Sequence, residues 1–379
     1  MYPDSSSILF LCTDAYGTGG GIAKFNRDLC RALTTEPLSA QITALPRVAP
    51  SESIGEIPSP VDYRVEAADS TLHYLWEVLR LTFGNPHTEY DGIICGHMNL
   101  LPVAALVAQI RRLPLLVILH GVDAWKLHLP TVAMPSLYAI DSFVSVSQYT
   151  KDRFLEWAPL TDEQGHVIPN CIDTSLYGPG PKQNDLLGRY GLKDRTVLLT
   201  LGRLSSAEQY KGHDEVLEVL PDLSDEVPDI AYLVCGDGDD RPRLKAKAKR
   251  LGVEDRTVFA GYVPEDEKAD HYRLADAFVM PGRGEGFGIV YFEALACGVP
   301  VVASMADASQ EAVRNGELGT VVDPDDPDNI KAGILDALRE PQGVPDGLDY
   351  FSVDRFRKRW HRVVDDCFRT STTGASAAP

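Results

Sequence analysis

The sequence predicts an α/β protein made of two doubly wound parallel-sheet domains that face a central cleft. Three observations lead there. Short apolar runs rich in Val, Ile and Leu alternate with longer amphipathic stretches, as expected for strands buried on both faces and joined by crossover helices. The alternation runs twice, before and after a Pro-, Gly- and polar-rich stretch at 169–191 (PNCIDTSLYGPGPKQNDLLGRYG). A chain of 379 residues exceeds one ordinary α/β core and suits two.

In the first half, strands are expected at 8–12 (ILFLC), 41–45, 92–96, 115–119 (LLVIL) and 142–147, with helices at 21–33, 70–83, 100–112 and 148–157. In the second half, strands are expected at 196–201 (TVLLTL), 230–235 (IAYLVC), 257–260, 277–280, 299–303 and 319–322. Helices are expected there at 212–220, 240–251, 265–275, 287–297, 308–314, 327–339 and 352–369. The stretch 169–191 reads as an interdomain linker. In the last helix Val353, Phe356, Trp360, Val363, Val364 and Phe368 fall near helical spacing and form an apolar face. Boundaries follow at 1–175, 176–350 and 351–369. Ligands of such folds bind beyond the carboxyl ends of the strands, so a site is expected in the cleft.

Composition narrows the function. The formal net charge of −19 repels nucleic acid, and anionic headgroups at long range, so no nucleic-acid partner is expected. No apolar run approaches the roughly 20 residues that span a bilayer, and the first residues lack a basic leader pattern. Cytoplasmic residence is the expectation, with peripheral association at the inner face of a membrane left open. The seven cysteines include no C-x-x-C, so neither a disulfide framework nor a zinc site is expected. Oligomeric state is not legible.

Four segments carry chemistry. In MPGRGEGFGIVYFEALACGVPVVAS (280–304), Glu285 ends a glycine-rich turn and an apolar helix follows. The helix start offers unpaired N–H groups to an anion. Glu293, further along among Ile289, Val290, Phe292 and Leu295, needs a polar partner, and two adjacent ribose hydroxyls are a suitable one. In LGRLSSAEQYKGHDEVLEVL (201–220), Arg203 and Lys211 flank a polar loop after a strand, an arrangement suited to a diphosphate. In DAYGTGGGIAKFNRDL (14–29), three consecutive glycines open a helix. The dinucleotide fingerprint fails there, because Ile22 stands where Gly or Ala is required after Gly17 and Gly19. A dehydrogenase is disfavoured for that reason. In LLVILHGVDAWK (115–126), His120 directly follows a buried strand, and Asp123 and Trp125 either shape an acceptor side or pack the loop.

The segment from Glu285 to Glu293 resembles the E-x7-E motif of family-4 retaining glycosyltransferases, which have the two-domain, Rossmann-like GT-B fold; ACGVPVVAS follows as it does in that family. The resemblance covers nearly the whole chain, most specifically at 196–213 and 280–304. It implies that Glu285 touches the donor sugar, that Glu293 holds the nucleotide ribose, and that Arg203 and Lys211 hold the diphosphate, the last two being a few residues further apart than in the simplest members. It further implies that Gly286, Phe287, Gly288 and Ile289 line the donor, that Gly20 and Gly21 meet its phosphates, and that His120 faces the sugar. Residues 1–175 are then the acceptor side, 176–350 the nucleotide-sugar side, and 351–369 a helix crossing back to the first domain.

The activity so implied is transfer of a hexose, with retention, from a UDP- or GDP-sugar to a glycan or glycolipid, in polysaccharide or cell-envelope glycan synthesis. No metal and no cofactor beyond the donor are implied. The D-x-D of GDGDD (236–240) reads as a turn rather than a metal ligand set, and His213 and Asp214 read as caps of the following helix. A phosphorylase or nucleotide-sugar epimerase on the same fold, or a non-catalytic sugar-nucleotide-binding subunit of a polysaccharide assembly complex, remain the alternatives.

Overall fold

The computed structural model describes residues 6–17, 19–48, 56–83, 89–127 and 130–374. The chain divides into two compact units, Met1–Cys171 with Val353–Pro379, and Ile172–Ser352.

The first unit runs β1 (Ser7–Cys12), α1 (Gly21–Thr34), β2 (Gln41–Pro46), β3 (Val61–Tyr63), α2 (Thr71–Phe83), β4 (Gly92–Cys95), α3 (Leu101–Arg111), β5 (Leu115–Leu119), β6 (Ser142–Ser145), α4 (Gln148–Leu155) and β7 (Gly165–Val167). Its seven strands lie in the order β3-β2-β1-β4-β5-β6-β7, every pair parallel. All five residues of β5 are buried, which is why it reads as an unbroken apolar run rather than an alternation. The three-residue edge strands β3 and β7 escape the sequence reading because so short a stretch carries no period. The reversal of strand order between β1 and β4 creates a crevice at the carboxyl edge of this sheet.

The second unit runs α5 (Asn184–Tyr190), β8 (Thr196–Leu201), α6 (His213–Glu226), β9 (Ile230–Cys235), α7 (Arg241–Arg250), β10 (Thr257–Gly261), α8 (Lys268–Tyr272), β11 (Ala277–Val279), α9 (Ile289–Ala296), β12 (Val301–Ser304), α10 (Ser309–Ala312), β13 (Thr320–Val322) and α11 (Pro327–Arg339). Its strand order is β10-β9-β8-β11-β12-β13, again parallel, with the reversal between β8 and β11. The stretch expected as linker contains α5, stopped by Gly191 in the left-handed region. α6 continues through Pro221 because Leu223, fully buried, holds the next turn against the core.

The cap expectation for α6 is corrected. Gly212 occupies the N-cap and no side chain caps it. His213 instead points inward, its Nδ1 2.9 Å from the Tyr232 hydroxyl, and Asp214 accepts bonds from Arg243 and Lys247. The final helix, α12 (Val353–Gly374), belongs to the first unit. Phe356 and Trp360 meet Phe25 of α1 edge to face, and His361 Nε2 lies 2.7 Å from the Ala32 carbonyl oxygen.

Candidate active site

Within the second unit, the segments following β8 and β11 meet at the strand-order reversal. Lys211 and Glu285 form an ion pair there, with side chains only 15% and 14% exposed. Burial opposes the lysine charge, but the carboxylate beside it outweighs burial and holds the Lys211 pKa above its ordinary value. The Tyr210 ring lies under the ammonium, 5.3 Å from its centroid. Its backbone carbonyl accepts from Arg283 N–H, which ties the loop after β8 to the glycine turn after β11.

Glu285 is held by its backbone. Asp307, fully buried just beyond β12, accepts from Glu285 N–H at 2.8 Å, and Ala308 N–H donates to the Glu285 carbonyl. The other Asp307 oxygen accepts from Ser309 N–H. Burial pushes the Asp307 carboxyl up from its ordinary value. Arg283 anchors the same turn from outside, pairing with Glu215 and Asp325.

After Glu285 the chain enters α9 through Gly288, whose φ of +90° only glycine adopts without strain. This helix start has no side-chain cap and no acidic residue in its first turn, so its amides are open to an anion. Gly286 and Ile289 are partly exposed, whereas the Phe287 side chain is buried against Phe292 and Phe351. Phe287 therefore has only backbone to offer a ligand. Glu293 is 1% exposed, and its Oε2 accepts from Tyr272 Oη at 2.9 Å.

Arg203 is 78% exposed and paired with Glu208 in its own loop rather than joined to Lys211 and Glu285. Such exposed pairs contribute under about 1 kcal/mol, so an arriving diphosphate can take the guanidinium over. The D-x-D braces this loop: Asp239 accepts from the Ser206 backbone and hydroxyl, and Asp237 bonds the Gly238 amide.

Within the first unit, the predicted groups gather at the carboxyl edge of the sheet. Gly20 is the N-cap of α1, with φ +118° and open space where a Cβ would stand, and Gly21 is the first helical residue. No side chain caps α1 and no acid lies in its first turn. Asp14 braces the loop before it, accepting from Ala15 N–H, Gly17 N–H and Tyr63 Oη. His120 sits beyond β5 with Nε2 2.9 Å from the Gly96 carbonyl oxygen and its ring edge-on to Phe25. Burial lowers its pKa to about 3, assisted by His97, which is stacked 6.3 Å away. His97 Nε2 lies 3.9 Å from Asp123 Oδ2, and burial raises the Asp123 carboxyl to about 7. Trp125 packs the loop, donating to Thr150 Oγ1 and meeting Tyr149 edge to face.

Two family profiles match this chain: Glyco_transf_4, Glycosyltransferase Family 4, over residues 19–176, and Glycosyl transferases group 1 over residues 186–348. The chain belongs to this glycosyltransferase family. A GDP-mannose-dependent alpha-(1-6)-phosphatidylinositol monomannoside mannosyltransferase of Mycolicibacterium smegmatis is 38% identical over 235 residues, which spans 59% of this chain and 60% of that protein. The enzyme of the same description from Mycobacterium tuberculosis is 28% identical over 349 residues, covering 88% of this chain and 89% of that one. Among solved structures, Anabaena HepE in complex with UDP and glucose superposes with a TM-score of 0.74 at 21% identity, over 95% of this chain and 100% of that one. A glycosyltransferase from Rickettsia africae gives 0.73 at 16% identity, covering 96% and 99%. At such identities these two structures speak for the fold.

The sequence reading of this glycosyltransferase missed Asp307, Tyr210 and His97. Asp307 and His97 each lie just past the carboxyl end of a strand, as His120 does, and that position is the signal the sequence offered for them.

Proposed function

We propose that this glycosyltransferase moves a hexose, with retention and without a metal ion, from a nucleoside diphosphate sugar to a glycolipid of the cell envelope. GDP-mannose and a phosphatidylinositol mannoside are the first pair to try, because the curated relatives are described as using them. The observation that carries the reading is the Lys211–Glu285 pair beside the uncapped start of α9. It offers a cation and free amides for a leaving diphosphate, next to a carboxylate able to accept hydroxyls of the transferred sugar.

In this reading the bond from the anomeric carbon to the diphosphate breaks and its electron pair leaves on the phosphate oxygen. Arg203, Lys211 and the amides of Gly288 and Ile289 stabilise that charge. The acceptor oxygen bonds the anomeric carbon on the same face, and its proton passes to the departing phosphate. Glu285 orients the sugar, Glu293 serves the ribose, and Gly20, Gly21 and His120 serve the donor from the first unit. His120 stays neutral across the working range, so it acts by hydrogen bonding rather than by charge.

The test is incubation with a panel of GDP- and UDP-sugars and detergent-dispersed phosphatidylinositol mannoside. Expected is a lipid one hexose heavier whose new linkage keeps the donor's anomeric configuration. An inverted linkage overturns retention. Release of an epimerised donor without transfer overturns the whole reading.

A further inference from the structure

Tyr272 is the last residue of α8, and its hydroxyl donates to Glu293 Oε2 in α9 at 2.9 Å, across 21 positions of chain. The phenol is held by its neighbours. Its ring centroid lies 6.2 Å from that of Tyr177 and 5.9 Å from that of Phe278. Tyr177 is anchored in turn, its hydroxyl donating to Glu265 Oε1 at 3.1 Å. Arg273 ties this segment to α8: its Nε donates to the Gly178 carbonyl oxygen, and its Nη1 pairs with Asp270.

Tyr272 is fully buried and Glu293 is 1% exposed. A carboxylate and a phenol so far from water oppose folding, and apolar side chains of similar shape would fill the space without that cost. Packing therefore does not explain the pair. What it supplies is charge and direction. A hydroxyl donating to a carboxylate favours the ionised form. Burial, and after it the charge of Glu293, hold the Tyr272 phenol well above its ordinary pKa, so it remains a donor across the working range. A carboxylate has about four acceptor sites, and Tyr272 takes one of those on Oε2. The rest suit two adjacent hydroxyls of a ribose, provided the carboxylate does not rotate.

We propose that Tyr272 is a positioning residue for the nucleotide: it holds Glu293 ionised and in one orientation, set to accept from the ribose hydroxyls. Being fully buried, it touches neither donor nor acceptor itself. This rests on the assignment of Glu293 to the ribose.

The test is titration calorimetry on the full chain with GDP or UDP, whichever the wild type binds, and with its 2′-deoxy form. Tyr272→Phe keeps the ring and removes only the hydroxyl. Expected is a loss of roughly tenfold in affinity for the ribonucleotide and a much smaller loss for the 2′-deoxy form, so the preference shrinks. In turnover, KM for the nucleotide-sugar should rise by a similar factor while kcat stays within about twofold. Glu293→Gln should lose the preference too. The double variant should be no worse than Glu293→Gln, because the tyrosine acts only through the glutamate. Tyr190→Phe removes a hydroxyl 3.0 Å from Nε2 of His271, the residue before Tyr272, and should keep the wild-type preference.

Loss of preference in Glu293→Gln with full preference in Tyr272→Phe overturns the positioning role and leaves the ribose assignment standing. Full preference in both removes the ribose assignment and the proposal with it. A lowered melting temperature in Tyr272→Phe at unchanged affinity makes the pair structural, and an equal loss of preference in Tyr190→Phe makes the effect a loosening of α8; either result overturns the proposal.

Discussion

Lys211 and Glu285, separated by 74 positions in the chain, form one ion pair where the loops after β8 and β11 meet. Neither side chain is open enough for water to screen the pair fully, and each is fastened by a separate neighbour, Lys211 over the Tyr210 ring and Glu285 through Asp307. The pair therefore presents a preset cation and a preset carboxylate to whatever binds at the start of α9.

Replacing Lys211 or Arg203 by Ala is expected to lower transfer by roughly two orders of magnitude, the usual effect of losing one contact to transition-state charge. The two variants should differ in stability. Arg203→Ala removes an exposed group and leaves the fold untouched, whereas Lys211→Ala strands a mostly buried carboxylate and lowers the melting temperature. Steady-state kinetics with thermal melts check both, and wild-type rates in both variants would refute the diphosphate assignment.

Glu293→Gln should weaken nucleoside diphosphate binding and erase the preference for the ribose over its 2′-deoxy analogue. Gln keeps the volume and can still accept from Tyr272, so a large loss of stability is not expected. Titration calorimetry with both nucleotides decides it. If the variant discriminates as well as wild type, Glu293 is a core residue bonded to a tyrosine and no more.

The raised Asp123 carboxyl, at about 7, gives a pH signature. A carboxyl whose pKa rises on folding binds its proton more tightly in the native state, so its contribution to stability is present below the ordinary aspartate value and lost as pH rises through about 7. Relative to Asp123→Asn, wild type should lose stability between about pH 4 and about pH 7, by at most about 4 kcal/mol for a shift of this size. Denaturant melts of both proteins across that range test it, and parallel curves would show that Asp123 titrates as an ordinary carboxyl.

Transfer should persist in excess EDTA. The Asp239 carboxylate is engaged by Ser206, and the charge on the leaving diphosphate has Lys211, Arg203 and the α9 amides to meet it. Loss of activity in chelator, restored by Mn or Mg ions, would return the D-x-D to the role of a metal ligand set.

What the amino-acid sequence determined by itself was whatever local pattern encodes. The buried strands LLVIL and TVLLTL announce themselves as short runs of leucine and β-branched residues without a charge, and the glycine turn before α9 announces a helix entry that only glycine tolerates without strain. Placement near the carboxyl end of a strand singled out Arg203 and Lys211, and the family resemblance singled out His120. Tertiary structure decided the pairings. That Lys211 closes on Glu285 while Arg203 turns to Glu208, that Asp307 carries the Glu285 backbone, and that His213 serves Tyr232 instead of capping its helix all depend on segments far apart in the chain. Helical spacing could not say which face of α2 turns inward either, since both its sides carry apolar residues. Local sequence fixes backbone preference and side-chain type, but which partner a charge or an apolar stripe meets is set by distances between elements, and those exist only once the sheets have assembled.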